Sequence, residues 1–211
     1  MLKENILMKI IGLCGGSGSG KGIVCDAFRR FGIPSIDTDA VYHELTSSKG
    51  DCLNALAKEF GSDIISDSGS LDRKKLGLIV FCGENSWEKL NKLNKLSHKF
   101  ILDETRRRLD TFSQLDAPMA IVDAPLLFES GFDGECDILI CVIADRETRI
   151  NRVMARDNIS RQAAEQRINS QMSDDDIISR CDYVIYNNSD FDTLTDQVIR
   201  IIDEIKNNFE R

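Results

Sequence analysis

Apolar residues follow two rhythms along this chain. Short, largely apolar stretches stand at residues 9–14, 119–123, 137–143 and 183–186, a shorter one lies around Ile36 at 34–37, and glycine, an acid or asparagine stands at or soon after the end of each. Such runs predict buried strands, and the unbroken run at 137–143 suits the centre of a parallel sheet. Between them the spacing turns helical. Ile23, Val24, Ala27, Phe28 and Phe31 share one face, and Val41 and Leu45 mark a second helix expected to begin at Ala40. Leu53, Leu56, Ala57 and Phe60 mark a third, which Gly61 ends. A turn-rich piece at 66–70 leads into Leu71-Asp72-Arg73 and a helix bearing Leu76, Ile79 and Val80. A long helical stretch over 87–112 carries Leu90, Leu93, Leu96, Phe100 and Ile101 inward. The closing helix places Leu194, Val198, Ile201, Ile202, Ile205 and Phe209 on one face. Strands alternating with helices predict an α/β fold, a doubly wound five-stranded parallel sheet. Residues 40–115 carry helical patterns and no strand of that sheet, and so read as an insertion in a core formed by 8–39 and 116–211.

Size changes this picture little. The 211 residues, 42% hydrophobic, suffice for one domain with an inserted subdomain. A net charge of −8 argues against a surface built for polyanions, so no nucleic-acid partner is expected, though a local basic site could still hold one phosphorylated ligand. Seven cysteines without a C-x-x-C pair, and only two histidines, favour reduced thiols over zinc or disulfides. The first ten residues show no secretory pattern, and Met8 reads as the more natural start. The apolar runs are too short to cross a bilayer. A cytoplasmic protein without a membrane partner, and a monomer, is the expectation.

The chemistry concentrates where the first strand ends. Gly15, Gly20 and Lys21 fit G-x-x-x-x-G-K, in which backbone N–H groups surround phosphates and the lysine reaches their outer oxygens. A strand precedes this loop and a helix follows it, so the unpaired N–H groups of the helix face the anion. Gly16, Ser17, Gly18, Ser19, Gly20, Lys21, Gly22 and Ile23 are the residues placed against a nucleotide. A glycine-rich turn with an ordinary surface lysine is the bland alternative. A dinucleotide fingerprint fails, because position 21 would have to be glycine. The motif usually closes on Ser or Thr, whose hydroxyl ligates Mg²⁺; here Gly22 stands there, and a water would fill the place.

Acids follow at the tips of other strands. Asp37 and Asp39 stand after the second strand, where a carboxylate can take the proton of an attacking hydroxyl or hold a metal through water. Asp39 could instead merely cap the following helix, and Asp37 reads as structural or metal-related. Asp123 occupies the place of an acid that orients Mg²⁺, or else serves a turn. No direct protein ligand to the metal is expected, only Asp37, Asp39 or Asp123 through water. His98, on an apolar helix face, reads as a packed residue. Arg149, Arg152 and Arg156 share a helical face, with Arg161 and Arg167 beyond. Such a run is usually solvated, yet in phosphoryl transfer the segment 145–180 would be a lid whose guanidinium groups neutralise growing charge and exclude water.

Taken together, GLCGGSGSGKG, GIPSIDTDAVYHEL, FGSDIISDSGSLDRKKL, the His98 neighbourhood, DAPLLFESG, TRINRVMARD, Gln171 and DYVIYNNS resemble the dephospho-CoA kinase family, from about Lys9 to the last helix. The resemblance implies a P-loop NTPase-type fold with an inserted helical substrate domain and an arginine-bearing lid. It implies transfer of the ATP γ-phosphoryl group, with Mg²⁺, to the ribose 3′-hydroxyl of dephospho-CoA. By the same likeness Asp39 would be the general base, Lys21 and Arg152 the catalytic cations, and Arg156 and the Asn188 loop nucleotide contacts. Region 40–115 would bind CoA, with Arg73, His98 and Leu126 among the substrate contacts. Three positions depart from the family pattern: Gly22, Lys99 where proline usually follows the histidine, and Arg149 where glutamine is frequent. A nucleoside or nucleoside monophosphate kinase, and a non-catalytic nucleotide-binding regulator, are the rival readings.

Overall fold

The protein alternates strand and helix as the apolar rhythm requires; the computed structural model describes residues 8–82 and 85–209. The reading of the first residues as free of a secretory pattern therefore falls largely outside them. In order, β1 (Lys9–Cys14), α1 (Lys21–Arg30), β2 (Ser35–Asp37), α2 (Thr38–Thr46), α3 (Asp51–Phe60), α4 (Arg73–Phe81), α5 (Ser86–Gln114), β3 (Met119–Asp123), β4 (Ile138–Ile143), α6 (Arg146–Asp157), α7 (Arg161–Asn169), α8 (Asp174–Ile178), β5 (Tyr183–Tyr186) and α9 (Phe191–Phe209) follow one another. Short 3-10 turns lie at Ser62–Ile64 and Phe132–Glu135.

The five strands form one parallel sheet in the order β2-β3-β1-β4-β5. β1 lies between β3 and β4, with Leu13 opposite Asp123 on one side and Cys14 opposite Cys141 on the other. Parallel strands buried on both faces need helices on both sides, which the crossovers supply. Ile11, Leu13, Ile121, Ile140, Val142 and Ile185 form the centre of the core, closed by Val24, Ala27 and Phe28 of α1 and by Leu194, Val198 and Ile202 of α9. Burying a side chain such as Phe28, which is fully enclosed, contributes roughly 1.5–3 kcal/mol. This packing fixes where α1 starts, and hence where the loop before it sits.

The backbone divides into two compact units, residues 1–36 with 112–211 and residues 37–111. The second has its own core of Leu53, Leu56, Ile64, Leu76 and Val80, against which Leu90, Leu93, Leu96 and Phe100 of α5 pack. Ile65 and Leu71 form an isolated antiparallel bridge across the serine-rich turn, so this stretch is a small hairpin rather than a plain turn.

Several expectations shift. Pro34 precedes β2, and its carbonyl accepts from Ile121 N–H at 2.8 Å; proline has no N–H to give a ladder. Asp137 stands just before β4, where its carboxylate accepts from Lys9 Nζ and from Ile10 N–H. Ile23 and Phe31 are exposed, 44% and 46%, because Ile23 lies at the edge of the α1 apolar stripe and Phe31 has left helical geometry at its C-cap. Cys25 joins the buried face instead. The side chain of Phe209 lies outside the described residues.

Candidate active site

The loop after β1 is built on backbone conformations that a side chain would oppose. Gly15, Gly18 and Gly20 take φ of 147°, 80° and 91°, a range that L-residues rarely visit. A Cβ at Gly15 would lie 2.5 Å from the Val142 carbonyl, and one at Gly18 2.5 Å from the Arg149 carbonyl. The loop thus needs glycine for both torsion and close approach, and Gly20 ends it as the left-handed N-cap of α1. No side chain caps α1, which leaves its first N–H groups for an anion.

Lys21 leads that helix with its ammonium held from two sides. Nζ donates to the Gly15 carbonyl at 3.1 Å and stands 3.8 Å from Asp123 Oδ1, both side chains being mostly buried. Asp123 sits at the carboxyl tip of β3, and Cys25 Sγ lies 3.9 Å from its Oδ2. The sheet order makes this meeting inevitable, since β3 is the immediate neighbour of β1. Ser19 adds a buried hydroxyl that has no hydrogen-bond partner among the described residues. A polar group so enclosed is costly unless something binds it. Gly22 faces open space, with nothing within 4 Å of an added Cβ.

The arginine helix supplies the outer wall. Arg152 Nη1 donates to the carbonyls of Gly18 and Ser19 at 3.2 and 3.3 Å, and Nη2 to that of Asn187 at 3.1 Å. Arg149, expected on a solvated face, is 4% exposed and lies against the loop. Arg156 instead remains exposed and pairs with Asp157, which Arg167 also engages. Arg161 bridges Glu147 and Glu165 at the surface. The solvated reading therefore holds for Arg161 and Arg167 and fails for Arg149, because a buried backbone carbonyl and a carboxylate satisfy its guanidinium. Packing of Ile150 and Val153 on Ala164 and Ile168 fixes α6 against α7.

Beyond β5 the chain turns through two asparagines. Asn187, buried, donates from Nδ2 to the Ser19 carbonyl at 2.7 Å. Asn188 exchanges two hydrogen bonds with Asp145, at 2.7 and 2.9 Å. Asn188, the expected nucleotide contact, thus ties down Asp145, while Asn187, which no local pattern in the chain marks, is the residue that reaches the loop. Leu126, after β3, is 43% exposed while Leu127 beside it is fully buried.

The unit of residues 37–111 carries the remaining candidates. Asp37 Oδ1 accepts from Asp39 N–H at 2.9 Å and Ala40 N–H at 3.1 Å. α2 therefore begins at Thr38, two residues earlier than the spacing suggests, and its cap is Asp37 rather than Asp39. An acid two residues before a first-turn acid took that role because only the N-cap side chain reaches the N2 and N3 donors. Asp39 is left in the first turn with its carboxylate exposed. Arg73 Nη2 donates to Thr46 Oγ1 at 3.1 Å and its guanidinium lies 5.9 Å from the Tyr42 ring centre. His98 lies partly buried on α5. Burial pushes the Tyr42 hydroxyl above its ordinary range. Among the described residues no cluster of three or more His, Cys, Asp or Glu side chains could hold a metal ion, and no helix is long and apolar enough to cross a membrane.

The chain as a whole is similar to known proteins. The family model described as dephospho-CoA kinase matches residues 9–193. A dephospho-CoA kinase of Fusobacterium nucleatum is 38% identical over 93% of this chain and 98% of its own. One of Syntrophotalea carbinolica is 34% identical over 92% and 91%. Among solved structures, a Thermus thermophilus protein superposes with a TM-score of 0.76 at 29% identity, covering 93% of this chain and 97% of the other. With its loop, sheet order and nearly full-length match, the chain belongs to the dephospho-CoA kinase family.

Proposed function

We propose that this protein transfers the γ-phosphoryl group of ATP to the ribose 3′-hydroxyl of dephospho-CoA, with Lys21, Arg152 and Asp39 carrying the reaction. The observation that supports it best is Lys21, held between the Gly15 carbonyl and Asp123 at the mouth of a glycine cradle. Within the loop of residues 16–22, the Ser17 N–H is taken by Gln171 and the Ser19 N–H by the Gly16 carbonyl, so the N–H groups of Gly18, Gly20, Lys21 and Gly22 would bind the β- and γ-phosphates, with Ile23 beside them, and the lysine would stand over their outer oxygens. Arg152 uses three of its five N–H groups on loop and Asn187 carbonyls, which leaves donors for charge that spreads over the transferred group. The Asn188 turn and Arg156 would border the nucleotide.

Asp39 would accept the proton of the 3′-hydroxyl as its oxygen bonds to the γ-phosphorus and the bond to the bridging oxygen of ADP breaks. The N-cap of α2 is Asp37, and Asp39 lies in the first turn that follows. Arg73, His98 and Leu126 would contact dephospho-CoA, and residues 37–111 would form most of its seat.

Mg²⁺ fits the residues present in one way. A partly buried carboxylate at Asp123, with room rather than a hydroxyl at Gly22, suits a hydrated ion that keeps most of its waters. When bound, it would neutralise charge on the phosphates. Incubation with ATP, Mg²⁺ and dephospho-CoA, followed by product identification, tests the reading. CoA and ADP are the expected products. Faster phosphorylation of AMP, or nucleotide binding with no acceptor phosphorylated, would overturn it.

A further inference from the structure

Arg149 has a place in this molecule that its neighbours in the arginine helix do not share. Its Nε donates to the Ser17 carbonyl at 3.0 Å, Nη1 pairs with Asp174 at 2.7 Å, and Nη2 reaches Gln171 Oε1 at 3.5 Å. Gln171 in turn accepts from Ser17 N–H at 2.8 Å and donates to Ser17 Oγ at 3.1 Å. Every polar group of Ser17 is thereby held by a side chain. The guanidinium also comes close enough to the loop that a Cβ at Gly16 would be 2.1 Å from Nη2.

The peptide between Ser17 and Gly18 is planar and trans, so its N–H points opposite to its C=O. With the Ser17 carbonyl drawn toward Arg149, the Gly18 N–H is turned away from it. We infer that Arg149 is a positioning residue for phosphate binding: with Gln171 and Asp174 it sets the orientation of the Ser17–Gly18 peptide and so aims the Gly18 N–H at the anion. It touches no substrate and acts through the loop. Asp174 acts one step further back, since its carboxylate fixes the guanidinium and offsets its charge. The inference rests on the reading that the loop holds the ATP phosphates, and it names the residues that give the loop its shape.

The test is direct binding of a fluorescent ADP together with steady-state kinetics for Arg149→Ala, Arg149→Lys, Asp174→Asn and the Arg149→Ala/Asp174→Asn pair. Arg149→Ala is expected to weaken ADP binding and raise the ATP KM about tenfold, with the KM for dephospho-CoA within about twofold. Arg149→Lys, which keeps the charge but not the fork, should fall between Arg149→Ala and the parent. Asp174→Asn should show about a threefold loss in the same direction, and the pair should be no worse than Arg149→Ala alone, as expected for residues acting in series. Should Arg149→Ala not fold, Arg149→Lys and Asp174→Asn carry the same comparison. The inference is overturned by ADP binding unchanged within about twofold, by equal loss for both substrates, or by additive effects in the pair. A parent protein that binds ADP yet leaves dephospho-CoA unphosphorylated would count against the proposed reaction and leave the ADP-binding test of Arg149 standing.

Discussion

Asn187 Nδ2 donates to the Ser19 carbonyl at 2.7 Å and stands 2.1 Å from where a Cβ on Gly20 would be. One side chain from the end of β5 thus both holds the phosphate loop and occupies the space that glycine leaves open. The contact joins two strands' ends that are not neighbours, β1 and β5. It makes the α1 N-terminus a product of tertiary packing as well as of local sequence.

Asn187→Ala is therefore expected to cost about 1–3 kcal/mol of stability, because a buried carbonyl loses its shortest donor, and to weaken ATP binding. Gly20→Ala should be worse, since it adds strain at φ of 91° to a clash. Thermal melts and ADP titration check both. Asn187→Ala with unaltered stability and affinity would show that the Arg152 bond to the same carbonyl suffices.

Asp37 and Asp39, two residues apart, should separate cleanly by mutation. Asp37→Ala removes the α2 cap and is expected to cost roughly 1 kcal/mol. Asp39→Asn should leave stability nearly unchanged and spare ATP affinity, while lowering kcat about a hundredfold or more, the usual contribution of a positioned base. Urea unfolding and initial rates measured on both variants decide it. An Asp39→Asn protein of normal kcat would remove that residue from the chemistry.

Much of this was readable from the chain because the readable parts are local. Strand positions, the glycine cradle and Lys21 follow from runs and spacing, and each strand appears within one residue of where the pattern puts it. What escaped depends on partners distant in sequence. Arg149 looks solvated until Ser17 and Asp174 are seen around it. Asn187 looks like half of a turn until Ser19 is found beneath it. The cap at Asp37 has a local signature, an acid followed two and three residues later by helical N–H groups, but Asp39 two residues on fits the same cap pattern, and spacing alone does not separate them. Whether a carboxylate such as Asp123 orients a metal or a lysine is a question of strand order, which periodicity does not reveal.

Acid should expose a separate contribution within residues 37–111. Glu104 accepts from Arg107 at 2.7 Å, twice, and from Arg108 Nε at 2.8 Å, while Arg108 also engages Glu44 on α2. The bond from Arg107 first, with that from Arg108, holds the Glu104 carboxyl down at about 2. A depressed carboxylate stabilises fully above its unfolded value, near 4.3, and the contribution is lost as pH falls through about 2. With Arg107 largely exposed, solvent screening limits the effect to about 1 kcal/mol. Urea unfolding of parent and Glu104→Gln should differ at pH 6 and converge toward pH 2. A difference independent of pH would mean that packing, not charge, is what the substitution removes.

Gly22 offers the sharpest test of how the metal is accommodated. It lies in the first turn of α1, outside the left-handed region, with no atom within 4 Å of a built Cβ. Serine can therefore enter without displacing anything, and the exchange should stabilise the helix by a few tenths of a kcal/mol, as glycine is the poorer helix former. If water now fills the place of the usual hydroxyl, Gly22→Ser should also lower the Mg²⁺ concentration for half-maximal rate about threefold or more, with kcat little changed, since a fixed oxygen replaces one that must be ordered. The two effects are separable by melting in the absence of Mg²⁺ and by rates across a Mg²⁺ series. A stabilised variant whose Mg²⁺ dependence matches the parent would place the ion away from residue 22 and leave Asp123 as its remaining anchor on this side of the cradle.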